Sequence, residues 1–161
     1  MTALRGQEVQ LYLSRAGLKP ENFTRPTPTS VAAAEVVGCT VGEIAKSILM
    51  LVGKQPVMIV TSGDTRVKSG RLKEATGLSG RVRLPVPNEV LHYTGYAPGA
   101  VSPFLLPDNL PVLLDTSLRR YEIIYPAAGS ASSAVSMSLS RLQELCSGRI
   151  VDVCDIQELS D

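Results

Sequence analysis

The run Ile44-Ala45-Lys46-Ser47-Ile48-Leu49-Met50-Leu51-Val52, followed by Gly53-Lys54-Gln55 and then by Pro56-Val57-Met58-Ile59-Val60-Thr61, decides the fold class. Residues 47–52 and 56–61 are rich in apolar, strand-forming side chains, and a short link with a glycine between two such runs reads as a hairpin. Upstream, Thr40-x-x-Glu43 has the form of a capping box, so a short helix is predicted to carry the chain to Lys46. That lysine is the odd member of the run. Taking an ammonium out of water costs several kcal/mol unless it is paired. It reads either as the last turn of the helix with its head in solvent, or as a functional cation placed at the start of a buried strand.

Working outward, residues 3–16 are predicted to be a helix with Leu4, Leu11, Tyr12 and Leu13 on its apolar side, stopped by Gly17. A short strand over 22–25 precedes a helix over 31–37, with Ser30 as its N-cap and Gly38 as its stop. Further helices are expected over 69–76, over 88–93 and after Ser140, with strands over 81–84, 112–114, 122–125, 135–139 and 149–153. Pro98, Pro103, Pro107 and Pro111 make residues 96–111 a stiff loop. Hairpins and isolated helices without βαβ alternation favour class α+β, a mixed sheet or barrel with helices around it. With 161 residues, and neither repeat nor linker, the chain is read as one domain over 1–161.

Composition excludes several chemistries. Cys39, Cys146 and Cys154 are an odd number without close pairing, which fits a reducing compartment better than a disulfide framework. His92 is the lone histidine and no Cys-x-x-Cys occurs, so no metal is expected. Walker, Gly-x-Gly-x-x-Gly and Gly-x-Ser-x-Gly patterns are absent, and no cofactor is implied. With no apolar leader and no run near the ~20 apolar residues of a membrane span, a soluble cytoplasmic protein is expected. The formal charge of +1 conceals a basic cluster of Arg66, Lys68, Arg71, Lys73, Arg81 and Arg83, and an acidic end at Asp152, Asp155, Glu158 and Asp161. The cluster is a candidate contact surface for a polyanion or a solvated face.

What remains is a set of residues without a conventional nucleophile. Lys46 supplies a cation, and the loop Gly95-Tyr96-Ala97-Pro98-Gly99-Ala100-Val101-Ser102-Pro103 can turn backbone N–H groups toward one point. Asp115 ends a strand, and Ala127-Ala128-Gly129-Ser130 is a second turn of small residues.

These blocks, with Ala33-Ala34-Glu35, Ser62-Gly63-Asp64-Thr65-Arg66-Val67 and Arg71-Leu72-Lys73 at their spacings, resemble the YbaK family of aminoacyl-tRNA deacylases, related to the editing domain inserted in bacterial prolyl-tRNA synthetase. The resemblance implies a compact α+β domain on a mixed, barrel-like sheet, and metal-free hydrolysis of the ester joining a wrong, small amino acid to tRNA. It makes Lys46 the essential lysine, Ser47 its hydroxyl neighbour, and Gly99 with Ala100 the amides facing the ester carbonyl. Ser102, Asp115 and Gly129 become pocket residues, and Arg66, Lys68, Arg71 and Lys73 contacts for tRNA. Mischarged aminoacyl-tRNA is the implied partner, with an aminoacyl-tRNA synthetase a further one and no membrane. The chain departs from common family patterns at Ala100 and Leu105, where glycines are frequent, and at Ser130-Ala131-Ser132, where the cysteine-removing branch carries Lys-Arg-Gly. A non-catalytic tRNA- or synthetase-binding module and a small-molecule binding domain are the alternative readings.

Overall fold

Apolar residues of β3 (Gln55–Ser62) and β6 (Val112–Asp115) point to both faces of one sheet, and this organises the molecule. Met58, Val60 and Leu114 join a core cluster with Tyr96, Phe104, Leu118, Ile124 and Leu142; Val57, Ile59 and Leu113 join a second with Leu72 and Val153. A strand buried on both sides needs a near-continuous apolar run, which is what 57–60 provides.

The structure, a computed structural model, describes residues 2–157. The Leu4 side chain and the acidic positions Glu158 and Asp161 lie outside the described residues. The remaining elements are α1 (Thr2–Arg15), β1 (Glu21–Asn22), α2 (Ser30–Val37), β2 (Ile44–Val52), β4 (Thr65–Val67), α3 (Ser69–Thr76), β5 (Val82–Arg83), α4 (Pro87–Thr94), β7 (Tyr125–Pro126), β8 (Ser133–Ala134), α5 (Leu139–Cys146), β9 (Arg149–Val151) and β10 (Cys154–Ile156). The main sheet has the order β5-β2-β3-β6-β9, with β7 also on β2. It is mixed: β2 pairs antiparallel to β3 and β5, whereas β3–β6, β6–β9 and β2–β7 are parallel. The fold is α+β as expected, but the sheet stays open and does not close into a barrel.

The hairpin is longer than its propensity signal. Val52 pairs with Gln55 across a two-residue turn, and β2 begins at Ile44 rather than Ser47. Glu43 does reach back to the Thr40 N–H at 2.9 Å, yet the capping box supports only a 3₁₀ turn over Val41–Glu43. Lys46 therefore sits inside a strand opposite Thr61, not on a helix.

Elsewhere the helix stops at Gly38, Gly77 and Gly95 are those predicted, but three starts move, α4 beginning at Pro87 with Val86 as its N-cap. Thr29 caps α2 by accepting from the Ala32 N–H, and Ser138 caps α5 by accepting from the Arg141 N–H. In α1 the buried side is Val9 and Leu13, four residues apart, while Leu11 is exposed. The alternation at 135–139 is real in burial, with Val135 and Met137 inside, but these residues make one bridge, Ile124 to Met137, and not a strand.

Candidate active site

Near the start of β2, the side chain of Lys46 is held from below. Its Nζ donates to the Thr65 carbonyl at 2.7 Å. Thr65 opens β4 after a tight turn, and that turn is clamped by Arg120, whose Nη2 and Nη1 reach the two Asp64 oxygens at 2.6 and 3.1 Å. Beneath lies a buried hydroxyl chain: Thr61 Oγ1 and Thr65 Oγ1 are 2.6 Å apart, and Thr65 Oγ1 donates to the Ser62 carbonyl at 2.7 Å. Burial lowers the pKa of Lys46, with the neighbouring Cys154 and Asp64 acting in the opposite sense. Cys154 itself is pushed up to about 11, chiefly by burial. It stays a neutral thiol at physiological pH.

Lys46 and Ser47 open onto a cavity of about 230 Å³ whose wall also includes Gly99, Val101, Ala127 and Ser133, with Thr29 and Ala33 from α2 and its cap. Ser47 Oγ is shielded from solvent and makes no hydrogen bond among the described residues. A shielded hydroxyl without a partner is costly unless a ligand supplies one. Gly99 has φ +87°, and no atom stands within 4 Å of where a Cβ would be. The glycine is required by backbone conformation and not by crowding. Its N–H finds no acceptor among the described residues, in a loop whose next amide is bonded. No carboxylate, histidine or cysteine lines this cavity; Lys46 and Tyr125 are its ionisable groups.

The other expected pocket residues are not in this wall. The Ala100 N–H is committed to the Ala97 carbonyl at 3.0 Å, closing a turn, and the residue lines an adjoining cavity of about 390 Å³. Gly129 lines that second cavity too. Ser102 is buried and donates to the Ala127 carbonyl at 2.9 Å, tying the two loops together. Asp115 is 1% exposed, and its carboxylate accepts from the N–H groups of Val153, Cys154 and Ser117 at 2.9, 3.1 and 3.0 Å. Those bonds tie the carboxylate at the β6 end to the β10 strand, and Asp115 is not among the residues lining the Lys46 cavity.

The basic cluster is divided. Arg71 pairs with Asp152 and Asp155, and Lys68 lies 3.6 Å from Asp155. The acidic end thus folds back onto it along the antiparallel pair β4–β10. Arg66 and Lys73 are exposed and have no ion-pair partner among the described residues. The sequence signalled neither Thr65 nor Ser133 as part of the site. Ser133 Oγ accepts from the N–H groups of Ala128 and Ser130, both at 3.2 Å, and so shapes the 127–131 turn. A serine within a run of serines and alanines carries no distinguishing local signal. Among the described residues, no three His, Cys, Asp or Glu side chains converge as metal ligands, and no helix is long and apolar enough to cross a membrane.

Comparison with known proteins adds the family. The chain is 35% identical over 134 residues to the uncharacterized protein YwhH of Bacillus subtilis (strain 168), covering 82% of this chain and 84% of that one. It is 27% identical over 117 residues to the proline–tRNA ligase of Aquifex aeolicus (strain VF5), covering 72% of this chain but only a fifth, 20%, of the ligase. A crystal structure provisionally described as a trans-editing enzyme for prolyl-tRNA synthetase superposes with a TM-score of 0.83 at 28% identity, over 96% of this chain and 97% of that one. The hypothetical protein APE2540 gives 0.81 at 28% identity, over 92% and 99%. The family pattern of the aminoacyl-tRNA editing domain matches residues 24–145, well over half the sequence and all of the Lys46 cavity, and the chain belongs to that family.

Proposed function

We propose that the protein is a trans-editing deacylase, acting over residues 1–161 as one editing domain, which hydrolyses the ester between a wrongly attached small amino acid and its tRNA. The observation that carries this reading is the meeting of Lys46, Ser47 and Gly99 on the wall of one cavity. At about 230 Å³ that cavity is below the size of most drug-binding sites, which suits an aminoacyl group.

Water adds to the ester carbonyl carbon, the bond to the ribose oxygen breaks, and that oxygen leaves with a proton. Negative charge grows on the carbonyl oxygen in between. A preplaced donor there lowers the barrier by roughly 3–4 kcal/mol, and the uncommitted Gly99 N–H supplies it; Ala100, whose amide is already bonded, does not. Lys46 spends one N–H on Thr65 and retains two for the terminal phosphate or the ester. Ser47 Oγ gains its missing partner from the aminoacyl group. With no carboxylate or histidine in the wall, the attacking water is activated by the substrate's own ribose hydroxyl. Arg66 and Lys73, exposed and without an ion-pair partner among the described residues, contact tRNA phosphates.

The deciding experiment is single-turnover hydrolysis across a panel of tRNAs mischarged with different small amino acids, including tRNA for proline. Wild type is expected to release amino acid from at least one, and Lys46→Ala to lose most of that rate. A wild type without activity on the whole panel, beside retained tRNA binding, would leave a binding module.

A further inference from the structure

Helix α1 precedes the family-matched segment, which begins at residue 24, yet it grips both loops beside the candidate site. Arg5 Nη1 donates to the Leu105 carbonyl at 2.5 Å. The same guanidinium lies 5.8 Å from the centre of the Tyr96 ring, and a Cβ on Gly95 would come within 2.8 Å of Nη2. One side chain therefore touches both ends of the segment 95–105, with Gly99 between them. Tyr96 closes the segment from inside by donating its hydroxyl to the Phe104 carbonyl at 2.5 Å. The next residue of the helix, Gly6, packs on the second loop so closely that a Cβ there would stand 2.8 Å from the Gly129 carbonyl oxygen.

We propose that α1 is a positioning element of the deacylation site and that Arg5 is the positioning residue which fixes the Gly99 amide. The proposal rests on the deacylase reading above. A planar guanidinium with donors in a fixed fork can bond a carbonyl while its charge faces a ring and its edge lies against a glycine; a lysine ammonium cannot do all three. Leu105 makes the grip matter more, because it holds φ +54° without being glycine. A non-glycine residue in that region persists only where its surroundings hold it. Freed from Arg5, the segment relaxes at Leu105 and carries Gly99 with it. An amide donor displaced by 1 Å forfeits about a hundredfold in rate.

The test uses the full chain and whichever mischarged tRNA the wild type hydrolyses. Arg5→Lys and Arg5→Ala are expected to lower the saturating single-turnover rate about tenfold or more, with the half-saturating tRNA concentration changed less than about twofold. Methylguanidinium added to Arg5→Ala is expected to restore part of the rate. The neighbouring Ala100 amide, bonded to the Ala97 carbonyl within the same segment, should exchange its proton faster in Arg5→Lys, a readout that general destabilisation would spread over the whole chain instead. Should Arg5→Ala fail to fold, the rate of Arg5→Lys and its exchange pattern decide between the two. Unimpaired rates, or a loss confined to tRNA affinity, overturn the positioning role and leave the deacylase reading standing. A wild type inactive on every mischarged tRNA defeats both.

Discussion

Lys46 Nζ is bonded to the carbonyl of Thr65 at 2.7 Å, so the cation of the candidate site is anchored to the first residue of β4 before any substrate arrives. An anchored, half-buried ammonium has a fixed direction and a penalty for being charged, and both have measurable consequences.

Burial lowers the Lys46 pKa below its ordinary 10.5 in the folded chain. Between the folded value and 10.5 the unfolded chain holds more proton than the native one, so native stability rises with pH through that window. Below the window the desolvation penalty is constant; above it the penalty is gone. Measured by urea titration, the stability of wild type relative to Lys46→Met is expected to improve as pH rises toward 10.5. A difference that stays flat from pH 7 to 10.5 would show that the lysine is not perturbed. If the charged form is the one that holds substrate, deacylation declines over the same window.

Gly99→Ala separates backbone conformation from sterics. No neighbour meets the new methyl group, so the cost is the φ of +87°, about 1 kcal/mol. Single-turnover hydrolysis should nonetheless fall at least about tenfold, because the donor for the oxyanion moves. An unchanged rate in a folded variant would remove this amide from the chemistry.

Asp115→Asn probes a carboxylate whose three N–H partners lie within the protein. The amide turns an acceptor into a donor facing at least one backbone N–H. We expect a loss of about 3 kcal/mol in unfolding free energy, with activity per folded molecule retained. Full stability with lost activity would instead return Asp115 to the substrate pocket.

Ser147 ends α5 at φ 53° and ψ 38° and is exposed. Glycine accepts this left-handed cap without strain, so Ser147→Gly should raise stability by about 0.5–1 kcal/mol. The midpoint of chemical unfolding reads it directly, and a lower midpoint contradicts the assigned strain.

Arg66 and Lys73 should each contribute to the salt dependence of tRNA binding, their alanine variants lowering the slope of log K against log salt by about one phosphate contact. Arg71→Ala should alter stability more than slope, because its guanidinium is already taken by Asp152 and Asp155. Equal slopes for wild type and the Arg66 and Lys73 variants would exclude this face from the tRNA interface.

Local chemistry made much of this protein readable from its residues. Gly38, Gly77 and Gly95 mark helix ends through their own φ angles, and the run 44–61 announces a hairpin through propensity and one glycine turn. Resemblance over many short blocks then singled out Lys46 and Gly99. What the residues alone left undecided were matters of partnership. Whether Lys46 ended a helix or sat in a strand depended on Thr61 lying opposite and Thr65 lying beneath. Asp115 looked free to face a ligand because the N–H groups that occupy it come from Val153 and Cys154, nearly forty positions away. The basic cluster looked unopposed because β10 joins β4 only once the chain has folded. A φ preference or a cap is set by neighbours along the chain. An ion pair or a buried acceptor is set by which distant segments the sheet brings together, and that is fixed by the packing of the whole core.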